Sequence, residues 1–569
     1  MDSRGVSQHT VQDLMRAQKP NSSAPFLIFN RVKDRRDRIN QWLRQALKFE
    51  ATVEGDYTAW TDPQRLLEFL SAQVYKDQET LEVSIGFDGR SLFKHCDNVL
   101  LCARILQVDG RRQHRRCHVW PLAILPVKES YECLGASALK DVLQRLNFTS
   151  VRDGKVKVRF WFCSDMKAAL MALGLVRAGA DCSCFICKCT TRQRQSADAR
   201  SYKNIRTHTD GQGEGQVREN WLLAFERHCI IFDTLHLLLR SFDNLLAQTV
   251  HRFIEYELPY VHQQDPCGRL QRRRKSNGQT HIERFFNSSF FTKTFYTWSG
   301  VKPFFLASRD SAKFQSLPGG KIKRFFERCD WSKMFITHKT LGEAIQLRWS
   351  TFYKLYSTIC TLSADTDDAQ LSAKATELLT FASSLTSSVT VPIESGATKT
   401  INVFDANVHT PYMHIFCFHS IQIIHNIKAR LPSQSQPHFS LNSFSCQSLE
   451  NSNKGDIVYA HNAVKKDKKT MNQDMMLAHY RRNLNPAQVS SVSKTKRCAQ
   501  CGMLFERWGW LKKHCVDEHN VELGDIESRK VEWEKSQRAL LETLQSEHQH
   551  FCSLVHFSGD QQQQTVSQQ

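Results

Sequence analysis

The chain of 569 residues is long enough to form two to four globular domains. Its 77 lysines and arginines exceed its 57 aspartates and glutamates, and the formal net charge of +20 favours a polyanionic partner, nucleic acid above all. An acidic protein, the ribosome or a membrane surface is the alternative partner. The first residues lack the apolar core of a secretory signal peptide, and no apolar run approaches the roughly 18 residues of a membrane span.

The first 79 residues predict a basic, helical N-terminal region. From residue 80 the hydrophobic period changes to two, which predicts strands in LEVSIGFDGR, VLLCARILQV and HVWPLAILPV. A helical pattern follows in residues 131–148, and KVKVRFWFCSD then returns to alternation. The predicted order is therefore strand, strand, strand, helix, strand.

Aspartates end two of these predicted strands, Asp88 the first and Asp165 the fourth. By the alternation, both lie on the face opposite the apolar side chains. If the first and fourth strands are neighbours, the two carboxylates meet at one edge of the sheet, which is the arrangement of a ribonuclease-H-like core. A chance pair of acids at strand ends is the alternative.

Nineteen cysteines, an odd number, favour reduced thiols and metal ligands over disulfides. The segment RCAQCGMLFERWGWLKKHCVDEHN has the spacing of a two-cysteine, two-histidine zinc finger, with two thiolates on a hairpin and two imidazoles on a helix. The predicted zinc ligands are Cys498, Cys501, His514 and His519. Whether this finger contacts DNA or another protein stays open.

A second metal site is predicted from two half-sites that lie far apart in the chain. Cys184 and Cys187 form a Cys-x2-Cys pair, and His414 and His419 repeat the His-x4-His spacing of the finger. Zinc there would join the two ends of a largely helical segment, and the alternative is that both pairs are core residues. Because positions i and i+5 do not share one face of a regular helix, the histidine pair also predicts a local distortion.

A third acid, Glu450, lies in the polar segment NSFSCQSLENSNKGD, where an acid alone would indicate only the start of a helix. Its combination with the other motifs is more specific. The nineteen-residue step from Asp165 to Cys184, the distant His-x4-His and the Glu-Asn-Ser-Asn-Lys context resemble the catalytic core of the Transib DNA transposases and the related recombination-activating recombinase.

This resemblance implies a cut-and-paste DNA transposase of the DDE type, built on a ribonuclease-H-like mixed sheet that a mainly helical insertion interrupts. Asp88, Asp165 and Glu450 would be the catalytic acids and would bind two Mg²⁺ or Mn²⁺ ions. The two cysteines and two histidines of the split site, Cys184, Cys187, His414 and His419, would bind structural zinc. The implied reaction is DNA cleavage, with hairpin formation, followed by strand transfer. A homodimer, double-stranded DNA of transposon ends and target as partner, and a nuclear location are implied as well.

On this interpretation the chain begins with a basic N-terminal region at residues 1–79. The catalytic core follows in two parts, residues 80–165 and 411–482, and the insertion lies between them at residues 166–410. The zinc finger covers residues 497–520, and a charged helix with a glutamine-rich tail covers residues 521–569. Three features depart from the family pattern. They are the long step from His419 to Glu450, the Gly-Phe-Asp-Gly-Arg context of Asp88, and the C-terminal finger.

Several alternatives stay open. Asp233 is a rival second acid, although its place before a helical segment and His236 one turn later favour a capping or supporting role. Candidate DNA contacts are aromatic side chains such as Trp298 and the basic cluster of Arg272, Arg273, Arg274 and Lys275. The alternative is that the aromatic side chains belong to the core and that the basic cluster is only solvated. The rival functions are a non-catalytic DNA-binding protein derived from a transposase and a ribonuclease-H-like nuclease without strand transfer.

Overall fold

The structure is a computed structural model, and it describes residues 37–47 without 39, 50–51, 58–93 without 77, 96–106, 119–196, 205–206, 215–222 without 216, 225–261, 289–301, 305–307, 312–314, 316–393, 396–431, 439–450, 468–484, 496–497 and 504–505. These residues divide between two compact units. One unit holds the described residues from 44 to 450 and 468–473, and the other holds those before 44 and from 474 onward. Within these ranges, no helix combines the length and apolar character that crossing a membrane requires.

Eight strands of the described residues form one mixed sheet: β1 (Glu50–Ala51), β2 (Ala59–Trp60), β3 (Thr80–Phe93), β4 (Cys96–Ile105), β5 (Val119–Leu125), β6 (Ser150–Val151), β7 (Val156–Ser164) and β8 (Ile230–Phe232). Their spatial order is β1-β2-β5-β4-β3-β7-β6, and β8 pairs with the carboxyl end of β7. β3, β4 and β5 form an antiparallel meander, whereas β7 is parallel to β3 and β8 is parallel to β7. The mixed α/β class is confirmed, and the condition that the first and fourth predicted strands are neighbours is met by β3 and β7.

The helices of the described residues are α1 (Pro63–Gln73), α2 (Tyr131–Gly135), α3 (Leu139–Gln144), α4 (Met166–Ala172), α5 (Thr191–Gln195), α6 (Thr234–Arg252), α7 (Leu258–Val261), α8 (Ser289–Ser299), α9 (Gly319–Arg328), α10 (Lys339–Thr361), α11 (Asp368–Leu385), α12 (Pro411–Arg430) and α13 (Lys468–Leu484). Further helical residues lie at 40–47 and 447–450. Single 3₁₀ turns occur at Arg227–Cys229, Trp331–Lys333, Ala406–Val408 and Leu441–Phe444, and a π-helical stretch joins α6 to α7 at Phe253–Glu257.

Both faces of β3 are buried at its amino end, whereas the alternation predicted a half-buried strand. On the face opposite the apolar side chains, Glu82 is only 1% exposed. Its carboxylate accepts a hydrogen bond from Trp161 Nε1 at 2.7 Å and pairs with Arg159 Nε at 2.6 Å. The guanidinium of Arg430, at the end of α12, lies 4.9 Å from the centre of a Trp161 ring. The carboxyl end of α12 therefore covers the face that the sequence pattern assigns to solvent.

The predicted insertion, residues 166–410, is mainly helical where the structure describes it, with one correction. β8 lies inside this segment and extends the sheet beside β7, with Phe162 opposite Ile230 and Ser164 opposite Phe232. The helical part after the sheet therefore begins at α6. A strand of three residues is too short to show a period of two, so the sequence pattern could not predict it.

Aromatic side chains form the core between α6, α8, α9 and α10. The ring of Phe325 in α9 lies 5.1 Å from that of Phe242, 5.4 Å from that of Trp298 and 5.5 Å from that of Trp349, between centroids. Trp298 is 7% exposed. The interpretation of Trp298 as a DNA contact is therefore wrong, because its ring stabilises this core instead.

Three two-stranded hairpins complete the described strands: β9 (Phe305–Ala307) with β10 (Ala312–Phe314), β11 (Ser388–Pro392) with β12 (Thr398–Asn402), and β13 (Lys496–Arg497) with β14 (Leu504–Phe505). The strands β13 and β14 flank the first two predicted ligands of the zinc finger in the sequence. The finger ligands Cys498, Cys501, His514 and His519 lie outside the described residues, and so does the predicted DNA-binding cluster of Arg272, Arg273, Arg274 and Lys275.

Candidate active site and metal-binding cluster

Asp88 and Asp165 lie at the same level of two neighbouring strands. β3 and β7 pair in parallel up to Ile85 and Phe162, and each aspartate follows its own member of this pair by three residues. Both aspartates also line one pocket at this edge of the sheet. The meeting of two acids that the strand order predicts is therefore present in the fold.

Gly86 allows the two strands to approach each other closely. A Cβ atom at this position would lie 2.2 Å from the carbonyl oxygen of Cys163, so a larger residue would push the strands apart. One residue further on, the Ser164 hydroxyl donates a hydrogen bond to the Phe87 carbonyl. Gly86, two residues before Asp88, thus allows the two strands that carry the acids to come close together.

Asp165 also begins α4. Its Oδ1 accepts a hydrogen bond from the backbone N–H of Ala168 at 2.7 Å, which makes it the N-cap of the helix. The backbone N–H of Met166 donates to the hydroxyl of Tyr412, on α12, at 3.1 Å. These two hydrogen bonds fix the backbone around Asp165 and the direction of its carboxylate.

Glu450 reaches the same pocket because hydrogen bonds from the sheet hold the segment before it. The thiol of Cys163 in β7 donates to the Phe444 carbonyl at 2.6 Å, and Arg104 in β4 donates to the Ser445 carbonyl. A helical turn then starts at residue 447 and carries Glu450 to the pocket that Asp88 and Asp165 line. The third acid is thus placed by tertiary contacts rather than by proximity in sequence.

Asp233 connects this segment to α6. The carboxylate of Asp233 caps α6 through the N–H groups of Leu235 and His236, at 2.9 and 3.1 Å, and it also accepts the N–H of Cys446 at 2.8 Å. It accepts a further hydrogen bond from Nδ1 of His236, whose Nε2 lies 3.6 Å from Glu450 Oε1. The predicted capping role of Asp233 is confirmed, and Asp233 is fully buried rather than open to the pocket.

The crowding of acids changes their titration. Burial, together with the negative charges of Asp165 and Glu129, raises the pKa of Asp88 to about 7. Burial disfavours the imidazolium of His236, but its hydrogen bond to Asp233 and the surrounding carboxylates outweigh burial and raise its pKa to about 9. At neutral pH the pocket therefore holds one cation among its acids.

Glu129 is a fourth acid near the pocket, and sequence reasoning missed it. It follows β5, and its side chain packs against Gly89, where a Cβ atom would lie 2.7 Å from Glu129 Cβ. Burial and the charge of Asp165 raise the pKa of Glu129, although Lys167 donates a hydrogen bond to its carboxylate at 2.6 Å. Its sequence setting, in a polar loop just before the N-cap of a helix, is typical of an ordinary surface acid and gave no signal.

The pocket has the donor chemistry of a site for hard cations. Asp88, Asp165 and Glu450 supply carboxylate oxygens, and His236 lines the same pocket. Carboxylate oxygens are the ligands that Mg²⁺ and Mn²⁺ prefer, and mutual repulsion of the acids favours binding of a cation.

No family model matches the chain, and no curated protein matches it.

The split half-sites of the sequence meet in one buried cluster. The ligand atoms of Cys184, Cys187, His414 and His419 all lie within 4.8 Å of one another, and all four residues are buried. Cys187 Sγ is 3.3 Å from His414 Nε2, and Nδ1 of His419 lies 2.9 Å from Oε1 of Gln422. This group, called the Cys/His cluster below, could bind a metal such as zinc. The bond to Gln422 orients the His419 ring so that Nε2 faces the cluster.

The predicted distortion of the histidine helix is wrong. α12 is continuous from Pro411 to Arg430, and it carries His414 and His419 without a break. Positions i and i+5 differ by about 140° around a helix of 3.6 residues per turn. The two imidazole rings nevertheless converge, with centroids 5.0 Å apart, because their side chains are long enough to lean toward each other.

Two buried arginines hold the loop that carries the two cysteines. Arg206 Nε donates to the Cys184 carbonyl at 2.7 Å, and Arg194 NH1 donates to the Ser183 hydroxyl at 3.3 Å. Arg194 also donates to the carbonyl of His409, two residues before α12, at 3.0 Å. The backbone N–H of Ile186 donates to Cys184 Sγ at 3.4 Å, as expected around a thiolate ligand. The loop and the start of α12 are thus joined by protein contacts as well as by the cluster.

Proposed function

We propose that this protein is a metal-dependent DNA-cleaving and strand-transferring enzyme, a cut-and-paste transposase of the Transib and recombination-activating recombinase type. One observation carries the proposal above all others. Three carboxylates from distant parts of the chain, Asp88, Asp165 and Glu450, line one pocket at the edge of the sheet. The basic composition of the chain supports DNA as the substrate.

The strand order supports a ribonuclease-H-like core for this enzyme. In chain order the five central strands are β3, β4, β5, β7 and β8, and in space they run β5-β4-β3-β7-β8. Only β4 is antiparallel to the other four. The first acid lies on the central strand, the second follows its parallel neighbour, and the third comes from a late helical turn, as the resemblance implies.

The three acids fit two Mg²⁺ or Mn²⁺ ions, because they offer hard oxygen donors whose charges repel one another without a cation. Bound metal would lower the pKa of a water molecule or a DNA 3′-hydroxyl and stabilise the leaving oxygen of the phosphodiester. The contribution of the protein is to hold the carboxylates in place through the Asp165 cap and the Asp233 contact to Cys446. The His236 imidazolium, 3.6 Å from Glu450, limits the repulsion between the acids.

The Cys/His cluster would bind one structural zinc ion, since two thiolates and two imidazoles are a common tetrahedral donor set for zinc. Such an ion would fasten the loop after α4, which carries the two cysteines, to the helix α12. It would thereby join the two ends of the helical insertion. A second zinc ion would belong to the finger of Cys498, Cys501, His514 and His519. Transposon ends and target DNA as partners, a homodimer and a nuclear location follow from the same resemblance.

A transposition assay tests this proposal. The DNA that flanks the gene on each side is cloned around a resistance marker on a donor plasmid, and the full chain is supplied with a target plasmid in Mg²⁺ or Mn²⁺. Excision of the marker followed by its joining to the target is the expected result. Cleavage without joining would support a nuclease instead, and DNA binding without cleavage would support a non-catalytic descendant.

A further inference from the structure

The helix α9, residues Gly319–Arg328, has one buried face and one basic face. Ile322, Phe325 and Phe326 are buried in the aromatic core between α6, α8 and α10. The remaining turns carry four cations, with one acid among them, at positions Lys321, Lys323, Arg324, Arg328 and Glu327. The structure therefore offers a rigid element with a surplus of positive charge toward solvent.

The acid on this face is already engaged. The hydroxyl of Tyr353, in α10, donates a hydrogen bond to Glu327 Oε1 at 3.3 Å. The ring of the same tyrosine stacks on Phe326 with centroids 5.0 Å apart. Lys323 and Arg328 are exposed, and Lys321 is half-exposed. Their positive charge is consequently available to an anion from outside.

The amino end of α9 lies next to the start of α6, which carries His236. A Cβ atom at Gly319 would lie 3.0 Å from Leu235 Cδ1, and Leu235 directly precedes His236. Further along, Phe242 of α6 contacts Phe325 of α9, with 5.1 Å between the ring centroids. α9 and α6 therefore start together beside the candidate active site and run away from it side by side.

We propose that the basic face of α9 binds the backbone of duplex DNA next to the phosphodiester that is cleaved at the acidic pocket. This inference rests on the proposed function, and it names the surface that holds the substrate. A helix of ten residues is about 15 Å long, which matches the rise of about four base pairs. Lysine and arginine on such a face neutralise phosphates without reading sequence, so they position the duplex rather than select it.

The test uses the full chain and a fluorescent duplex of about 30 base pairs without added Mg²⁺, so that binding is measured apart from cleavage. The variant replaces Lys321, Lys323 and Arg328 with alanine, which is compatible with a helix. The control removes three other basic side chains, Lys140, Lys339 and Lys374, each within 3.7 Å of an acid. Circular dichroism and thermal unfolding verify that both variants are folded.

At about 0.1 M salt the α9 variant should bind the duplex roughly 10- to 100-fold more weakly, and the slope of log Kd against log salt should fall by about 2–3. The control should stay within about twofold of the wild type. Wild-type affinity and slope in the α9 variant would overturn the inference. The same measurement is repeated with duplex RNA of the same sequence. A variant that loses affinity for the RNA but keeps its affinity for the DNA would also overturn the inference. A wild type that binds through α9 and never cleaves would refute the proposed function alone.

Discussion

Nε2 of His236 lies 3.6 Å from Oε1 of Glu450, and its Nδ1 donates to the buried carboxylate of Asp233. The imidazolium of His236 therefore connects Asp233, which caps α6, to Glu450, the last of the three acids in the sequence. Because its pKa is raised to about 9, it remains charged at neutral pH. The acids of the pocket thus have a fixed counter-charge before any metal binds.

Replacement of His236 by glutamine should raise the pKa of Asp88 further, because the positive charge of His236 lowers it. Metal-dependent DNA cleavage at pH 7.5 should fall about 10- to 100-fold. The acidic limb of the pH–rate profile should move up by about 0.5–1 pH unit, so that raising the pH restores part of the rate. The control is His228→Gln, at an exposed histidine whose Nε2 lies 2.7 Å from Glu226 Oε2. A uniform loss of activity at every pH would show that His236 has only a structural role.

The metal-free fold should be sensitive to the charge of Asp88. The folded chain keeps this carboxyl protonated up to about pH 7, whereas an unfolded aspartate ionises near its ordinary value of 3.8. The folded state therefore binds more protons between these values, and the free energy of unfolding falls as the pH rises through this window. Asp88→Asn removes the effect, so the melting temperature of the variant should exceed that of the wild type by about 2–6 °C at pH 8.

The same comparison at pH 4 should show almost no difference, because both side chains are then largely neutral. Mg²⁺ or Mn²⁺ should raise the melting temperature of the wild type at pH 8 and that of Asp88→Asn much less. The exposed Glu343→Gln serves as the control and should change neither result. An Asp88→Asn variant that melts below the wild type at pH 8 without metal would contradict the raised pKa.

Loss of a ligand from the Cys/His cluster should remove zinc and stability together. Cys187→Ser or His414→Ala should lower the zinc content by about one ion per chain, measured by mass spectrometry of the metal. The melting temperature should fall by roughly 5–15 °C, because metal binding contributes directly to the folded state. Cys182→Ser is the matched control, since Cys182 belongs to the same loop and lies outside the cluster. Unchanged zinc content in both ligand variants would refute a zinc site at the cluster.

The sequence predicted those parts of the site that depend on strand order and motif spacing. The alternation placed Asp88 and Asp165 at the ends of two strands that would have to be neighbours for the acids to meet, and the parallel pairing of β3 with β7 meets this condition. The assembly of Cys184 with His414 follows from matching two half-sites. Both predictions rely on rules that hold along the chain, and the alternatives of a chance acid pair and of core cysteines and histidines could be decided only by the fold.

Most of the missed features depend on contacts between distant segments, and one depends on the shortness of a strand. Glu129 comes to the pocket because Gly89 leaves space for its side chain, and no local pattern encodes this. β8 is too short for periodicity, and the burial of Glu82 depends on α12. Trp298 has the same chemistry whether it stacks on DNA or on Phe325, so only the fold decides between the two.

DNA cleavage by the purified full chain tests the central claim most directly. Supercoiled plasmid is incubated with wild type, Asp165→Asn, Glu450→Gln and the control Glu343→Gln, in buffer with Mn²⁺ and in buffer without a divalent cation. We predict nicking that requires Mn²⁺, falls by about 1,000-fold in Asp165→Asn and in Glu450→Gln, and persists in Glu343→Gln. Nicking at the wild-type rate in both acid variants would contradict the assignment of this pocket as the active site.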